Sequence, residues 1–161
     1  MLKTIVGNAI CFLCVCSMIF LPGLGATQAR SERIKTYVGS DACKECHEEE
    51  YRNYKAYAKK AQSYDSIKKM KKGLTEFEFQ GCFECHTTGH GKPGGFVSEK
   101  ETPFLKNAGC EVCHGPGSLH CDTETAADIK GQLTIKDCEG CHNDERVAEF
   151  NYKPLIYGGA H

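Results

Sequence analysis

Residues 109–120 read "GCEVCHGPGSLH": two cysteines three positions apart, a histidine directly after the second, and another histidine beyond a Gly-Pro-Gly loop. On one turn of backbone, side chains at i, i+3 and i+4 share a face. The same pentapeptide pattern recurs as "CKECH" (43–47), "CFECH" (82–86) and "CEGCH" (138–142). Zinc sites also use paired Cys-x-x-Cys units, and exported cysteine-rich chains often carry disulfides. Neither chemistry requires a histidine immediately after every pair, yet all four pairs here have one. The pattern is the attachment signature of a c-type haem. The two thiols form thioethers with the vinyl groups of one porphyrin, and the adjacent histidine ligates its iron.

The sequence therefore assigns haem attachment to Cys43 and Cys46, Cys82 and Cys85, Cys110 and Cys113, and Cys138 and Cys141. His47, His86, His114 and His142 become the proximal iron ligands, and the expected cofactors are four haem c groups. Cys82, Cys110 and Cys138 follow one another at intervals of 28 residues, whereas 39 separate Cys43 from Cys82.

The first 29 residues read as a secretory signal peptide, with residues 30–161 forming one tetrahaem domain. Lys3 gives a basic start, "IVGNAICFLCVCSMIFLPGLG" (5–25) is apolar, and small residues offer cleavage after Gly25 or Ala29. A retained membrane anchor is the weaker alternative. Cys11, Cys14 and Cys16 fall inside this run as small hydrophobes. The remaining stretch is poor in large aliphatics and the chain has no tryptophan, so side chains alone would bury little apolar surface. The expected fold is mainly α with much irregular chain, a multihaem cytochrome whose haems form the core. "HEEEYRNYKAYAKKAQ" (47–62) predicts the best helix, with His47, Tyr51, Tyr54, Ala58 and Ala61 on one face. "SIKKMKK" (66–72) continues it or forms a second helix, stopped by Gly73. "NDERVAEF" (143–150), capped by Asn143, is a third, and residues 89–95 and 114–118 read as loops.

Three stretches together resemble the cytochrome c-554 family of tetrahaem cytochromes: "CKECHEEEYRNYKAYAKKAQSYDSIKKM", "CFECHTTGHGKPGGF" and "GCEVCHGPGSLH". The resemblance implies a periplasmic, mostly helical protein with closely stacked haem pairs. It implies that His120 faces His47 across the first haem, and that His161 faces His114. It leaves the second haem five-coordinate. The family has a histidine for the fourth haem at the end of the first long helix, where this chain has Gln62. Geometry agrees in part. Residues 47 and 62 would be about 22 Å apart along one helix, so position 62 looks towards a different haem from the one His47 holds.

His90 keeps three readings open. It is a polar residue near haem edges, a ligand to a neighbouring haem, or a replacement for the histidine missing at 62; the first leads. On a helix it would stand about 6 Å from His86 on the same face, so it could not sandwich the same iron. Cys121 belongs to no motif and reads first as a buried thiol, second as an intermolecular disulfide. Lys55, Lys59, Lys60, Lys68, Lys69, Lys71 and Lys72 form a solvated face or a docking surface for acidic redox partner proteins. A net charge of −1 speaks against nucleic acid. Membrane association through a quinol-oxidising or other redox complex stays open. The leading function is periplasmic electron transfer in anaerobic or nitrogen-compound respiration. The alternatives are reduction of nitric oxide, nitrite or hydroxylamine at an open haem, and a subunit of a haem-lined filament or membrane complex.

Overall fold

The structure is a computed structural model, and it describes residues 33–143. The signal-peptide segment, the helix expected over 143–150 and His161 therefore lie outside the described residues, Asn143 excepted. Short helices joined by irregular chain make up the fold: α1 (Ser40–Cys43), α2 (Glu48–Tyr57), α3 (Ser63–Lys68), α4 (Glu76–Gln80), α5 (Phe83–His86), α6 (Cys110–His114), α7 (Ser118–Thr123) and α8 (Ile135–Glu139). Single 3-10 turns occupy Lys59–Gln62, Pro103–Leu105 and Ala126–Asp128. No strand occurs among the described residues, so the mainly helical expectation holds.

The long helix expected over 47–62 is interrupted. It ends at Tyr57, Ala58 is extended at φ −82° and ψ 116°, and the chain resumes as a 3-10 turn and then α3. No glycine or proline causes the break; long-range bonds do. Tyr54 is buried and its hydroxyl donates to the Ala108 carbonyl. Ser63 Oγ donates to the His86 carbonyl at 2.9 Å and accepts from Ala108 N–H at 2.9 Å. Tyr64 N–H donates to Asn107 Oδ1 at 3.1 Å. A straight helix could not deliver residues 54, 63 and 64 to the same 107–108 segment. Residues 66–72 also stop early, since α3 ends at Lys68 and Gly73 follows at φ +110°.

Two helices start on capping boxes. Thr75 with Glu78 opens α4, and Thr134 with Asp137 opens α8, each satisfying otherwise unpaired N–H groups at a helix start. These caps set the rotation of the turns that carry Cys82 and Cys138. A small aromatic core gathers Tyr64, Ile67, Phe79, Phe83, Phe96 and Leu105. Its rings meet at 5.1 Å for Phe79–Phe83 and 5.2 Å for Phe83–Phe96, both edge to face, an arrangement worth about 1 kcal/mol per pair beyond area burial. The polypeptide thus has a core of its own beside the second motif, which the sequence had left wholly to the cofactors.

Candidate functional site

Each of the four motifs closes on itself as one turn. The histidine N–H donates to the carbonyl of the motif's first cysteine in His47–Cys43 at 2.9 Å, His86–Cys82 at 3.1 Å and His142–Cys138 at 2.8 Å. The third motif is wholly helical as α6. One turn of helix brings positions i, i+3 and i+4 to one face, the arrangement a single porphyrin requires of two sulfurs and a ring. All nine cysteines among the described residues are free, and no group of three or more His, Cys, Asp or Glu is gathered as a metal cluster there. The attachment turns fit haem.

Backbone carbonyls orient several rings. Nδ1 of His86 meets the Ser63 carbonyl at 3.1 Å, that of His114 the Lys130 carbonyl at 2.7 Å, and that of His120 the Thr125 carbonyl at 3.1 Å. A carbonyl only accepts, so each Nδ1 carries the proton and Nε2 keeps its lone pair for a metal. His47 and His120 face one another with ring centroids 6.3 Å apart and planes 31° from parallel. Two metal–imidazole bonds of about 2 Å plus two half-rings of about 1 Å span about 6 Å, so one iron fits between them.

His90 occupies a different setting. Its Nδ1 meets the Phe96 carbonyl at 3.1 Å, and its ring packs edge to face on Phe83 at 5.2 Å. It is a flank of the aromatic core, beside the second motif. Gln62 is exposed, and Met70 is 60 % exposed just beyond α3. Cys121, expected to be buried, is exposed on α7; that helix turns His120 towards His47 and leaves the next residue outward.

The first and third motifs meet directly. The Cys43 and Cys110 side chains hydrogen-bond, which pushes the Cys43 thiol up and the Cys110 thiol down. Ser40 Oγ of α1 accepts from Cys110 N–H at 3.1 Å, at the start of α6. In the fourth motif, burial pushes His142 down, and the positive charge of Lys60 adds to the effect.

Glu111 is the residue that sequence reasoning missed. It fills a variable position of the third motif, yet is only 2 % exposed. Its carboxylate accepts from Val38 N–H at 3.0 and 3.2 Å, Gly39 N–H at 2.7 Å and Gly117 N–H at 2.7 Å. It thereby ties the approach to α1, the third motif and the loop before α7 into one unit. Gly39 stands at φ +84°, with Phe104 3.0 Å from where a Cβ would lie, so only glycine fits there. Gly115 at φ +78° ends α6 directly after His114. The only sequence signal was an acidic residue inside a motif next to a Gly-Pro-Gly loop.

Three comparisons bear on this arrangement. A family described as cytochrome c554 and c-prime matches residues 42–115. Cytochrome c-554 of Nitrosomonas europaea is 33 % identical over 145 residues, covering 77 % of this chain; the chain spans 62 % of that relative. The structure of reduced cytochrome c554 from Nitrosomonas europaea superposes with a TM-score of 0.59 at 20 % identity, over 79 % of this chain and 85 % of that one.

Proposed function

From its likeness to cytochrome c-554 we propose that this chain is a member of that family and a periplasmic electron carrier with four covalently attached haem c groups. The observation that carries the reading is that each of the four Cys-x-x-Cys-His motifs closes as one turn. When bound, the irons supply one-electron chemistry, tuned by axial ligands, local charge and solvent access.

The chain's own residues set the rest. The four cysteine pairs would hold the porphyrins, and His47, His86, His114 and His142 would supply the proximal nitrogens. His120 would offer a second nitrogen to the iron held by His47, with the Thr125 carbonyl orienting its ring. Ser40 of α1, accepting from Cys110 N–H, sets the first and third attachment turns side by side, so the haems they would hold would be near neighbours. Exposed lysines give a redox partner a surface to approach. Lys68 and Lys71 pair with Glu99 at 2.8 Å and Glu76 at 3.2 Å, so Lys55, Lys59, Lys69 and Lys72 carry the uncompensated charge.

Mass spectrometry of the purified protein tests this reading, with four haem additions expected to survive acid–acetone extraction. His120→Ala should then convert one low-spin ferric haem to high spin. Fewer than four additions, or an unchanged spin state in that variant, would remove its basis.

A further inference from the structure

We propose that the Ser63 hydroxyl is a positioning group for His86, keeping in place the hydrogen bond that tunes how this histidine binds iron. The proposal rests on the tetrahaem reading above. Ser63 grips His86 at two points, 23 residues along the chain. Its carbonyl accepts the Nδ1 proton of the ring at 3.1 Å, and its Oγ donates to the His86 carbonyl at 2.9 Å. The same oxygen accepts from the Ala108 N–H at 2.9 Å. Ser63 is only 7 % exposed, so its one proton and a lone pair are both committed away from water.

The third motif repeats this grip in backbone atoms alone. The Lys130 carbonyl accepts from His114 Nδ1 at 2.7 Å, and the Lys130 N–H donates to the His114 carbonyl at 3.2 Å. In both motifs one distant residue takes the ring proton and gives a proton back to the histidine's own carbonyl. The backbone cannot complete the pattern at Ser63, because its N–H already donates to the Lys60 carbonyl and closes the 3-10 turn. The hydroxyl stands where Lys130 uses its N–H. A carbonyl on Nδ1 makes Nε2 a stronger donor, which favours ferric over ferrous iron and lowers the reduction potential. That effect lasts only while the two main chains stay together, and in the second motif a side chain ties them. Ser63→Ala strands the Ala108 N–H and the His86 carbonyl, lets the chains part and weakens the Nδ1 bond. Thr88 supplies a control, since its Oγ1 donates to the Asn107 carbonyl at 2.6 Å and accepts from the Gly109 N–H at 2.9 Å. These are two bonds of the same kind on the same segment, and neither goes to His86.

The test uses the full-length holoprotein. Haem stoichiometry comes first: a mass below four additions in the unaltered protein overturns the tetrahaem reading itself, whereas four additions leave Ser63 as the only point at issue. Optical redox titration then resolves the midpoint potentials. Ser63→Ala should raise one midpoint and leave the other three, a change of about fivefold in that haem's reduction equilibrium, the worth of one ordinary hydrogen bond. Ser63→Thr, which keeps the hydroxyl, should restore it. Thr88→Val should lower the melting temperature as Ser63→Ala does and leave all four midpoints in place. Unmoved midpoints in Ser63→Ala overturn the proposal. An equal shift in Thr88→Val overturns it too, since a loosened segment would then account for the effect, and so does an equal shift in Ser63→Thr. If Ser63→Ala does not retain four haems, Ser63→Cys decides, because its thiol leaves a weak donor at the same place. One midpoint raised by less than fivefold supports the assignment there, and none raised overturns it.

Discussion

Replacing Glu111 with glutamine keeps the shape of the side chain and removes one acceptor. In the native protein Oε1 accepts from Gly117 and Val38, and Oε2 from Gly39 and Val38. In Glu111→Gln one of these positions becomes an NH2 group facing a backbone N–H, donor against donor. A hydrogen bond to a charged group is worth about 1.5–3 kcal/mol, and a stranded buried N–H costs about 1–3 more. Relief of the buried charge offsets part of this, leaving a net loss of about 3 kcal/mol. For a domain of this size that lowers the melting temperature by about 10 °C. Thermal unfolding of the holoprotein, followed by far-ultraviolet circular dichroism at neutral pH, measures it. The same variant should raise the reduction potential of the nearest haem, since a buried negative charge is lost. It should also loosen the loop before α7, so part of the His120-ligated haem should become high-spin. A melting temperature within 1 °C of the unaltered protein would show that the three N–H groups find other partners, and the reasoning would fail.

The exposed lysines predict that electron exchange with an acidic partner slows as salt rises, because charges are screened over about 8 Å at physiological ionic strength. Charge reversal at Lys69 and Lys72 should slow exchange at low salt and abolish most of that dependence; unchanged rates would leave the lysines a merely solvated face. Asp137 predicts an acid dependence. Hydrogen bonds from Lys130 and then from Thr134 hold its carboxyl down at about 2, against an ordinary value near 3.8. Its folded-state value is depressed, so its contribution to the α8 cap is present above about pH 4 and lost as pH falls through 2. Asp137→Asn should therefore unfold more easily than the unaltered protein at pH 5 and equally easily near pH 2. Parallel stability curves across that range would refute the role.

The features legible in the sequence are those whose chemistry is local. Haem attachment needs two sulfurs and a nitrogen within five residues, so the turn that presents them is written in five letters, and all four turns fold that way. Gly-Pro-Gly marks the loop between His114 and α7 for the same reason, since Gly115 takes a backbone conformation that other residues resist. The start of α4 was equally local, in "TEFE" (75–78), and went unread.

What stayed hidden depends on residues far apart in the chain. Glu111 looks like filler within its motif because Val38 and Gly39 lie 73 and 72 positions away. The break at Ala58 sits in an unbroken helical pattern, and only the pull of Ser63 and Tyr64 towards residues 86 and 107–108 requires it. That break also changes which side chains face inward. On a continuous helix, residues 60 and 62 would differ by 200° in facing, and the apolar stripe would say which one points inward. With the helix broken, the 3-10 turn resets the facing, burying Ala61, half-burying Lys60 and exposing Gln62. Counting histidines along the sequence could detect a missing ligand, but which side chains of residues 58–62 turn inward is decided by contacts made 23 to 45 residues away.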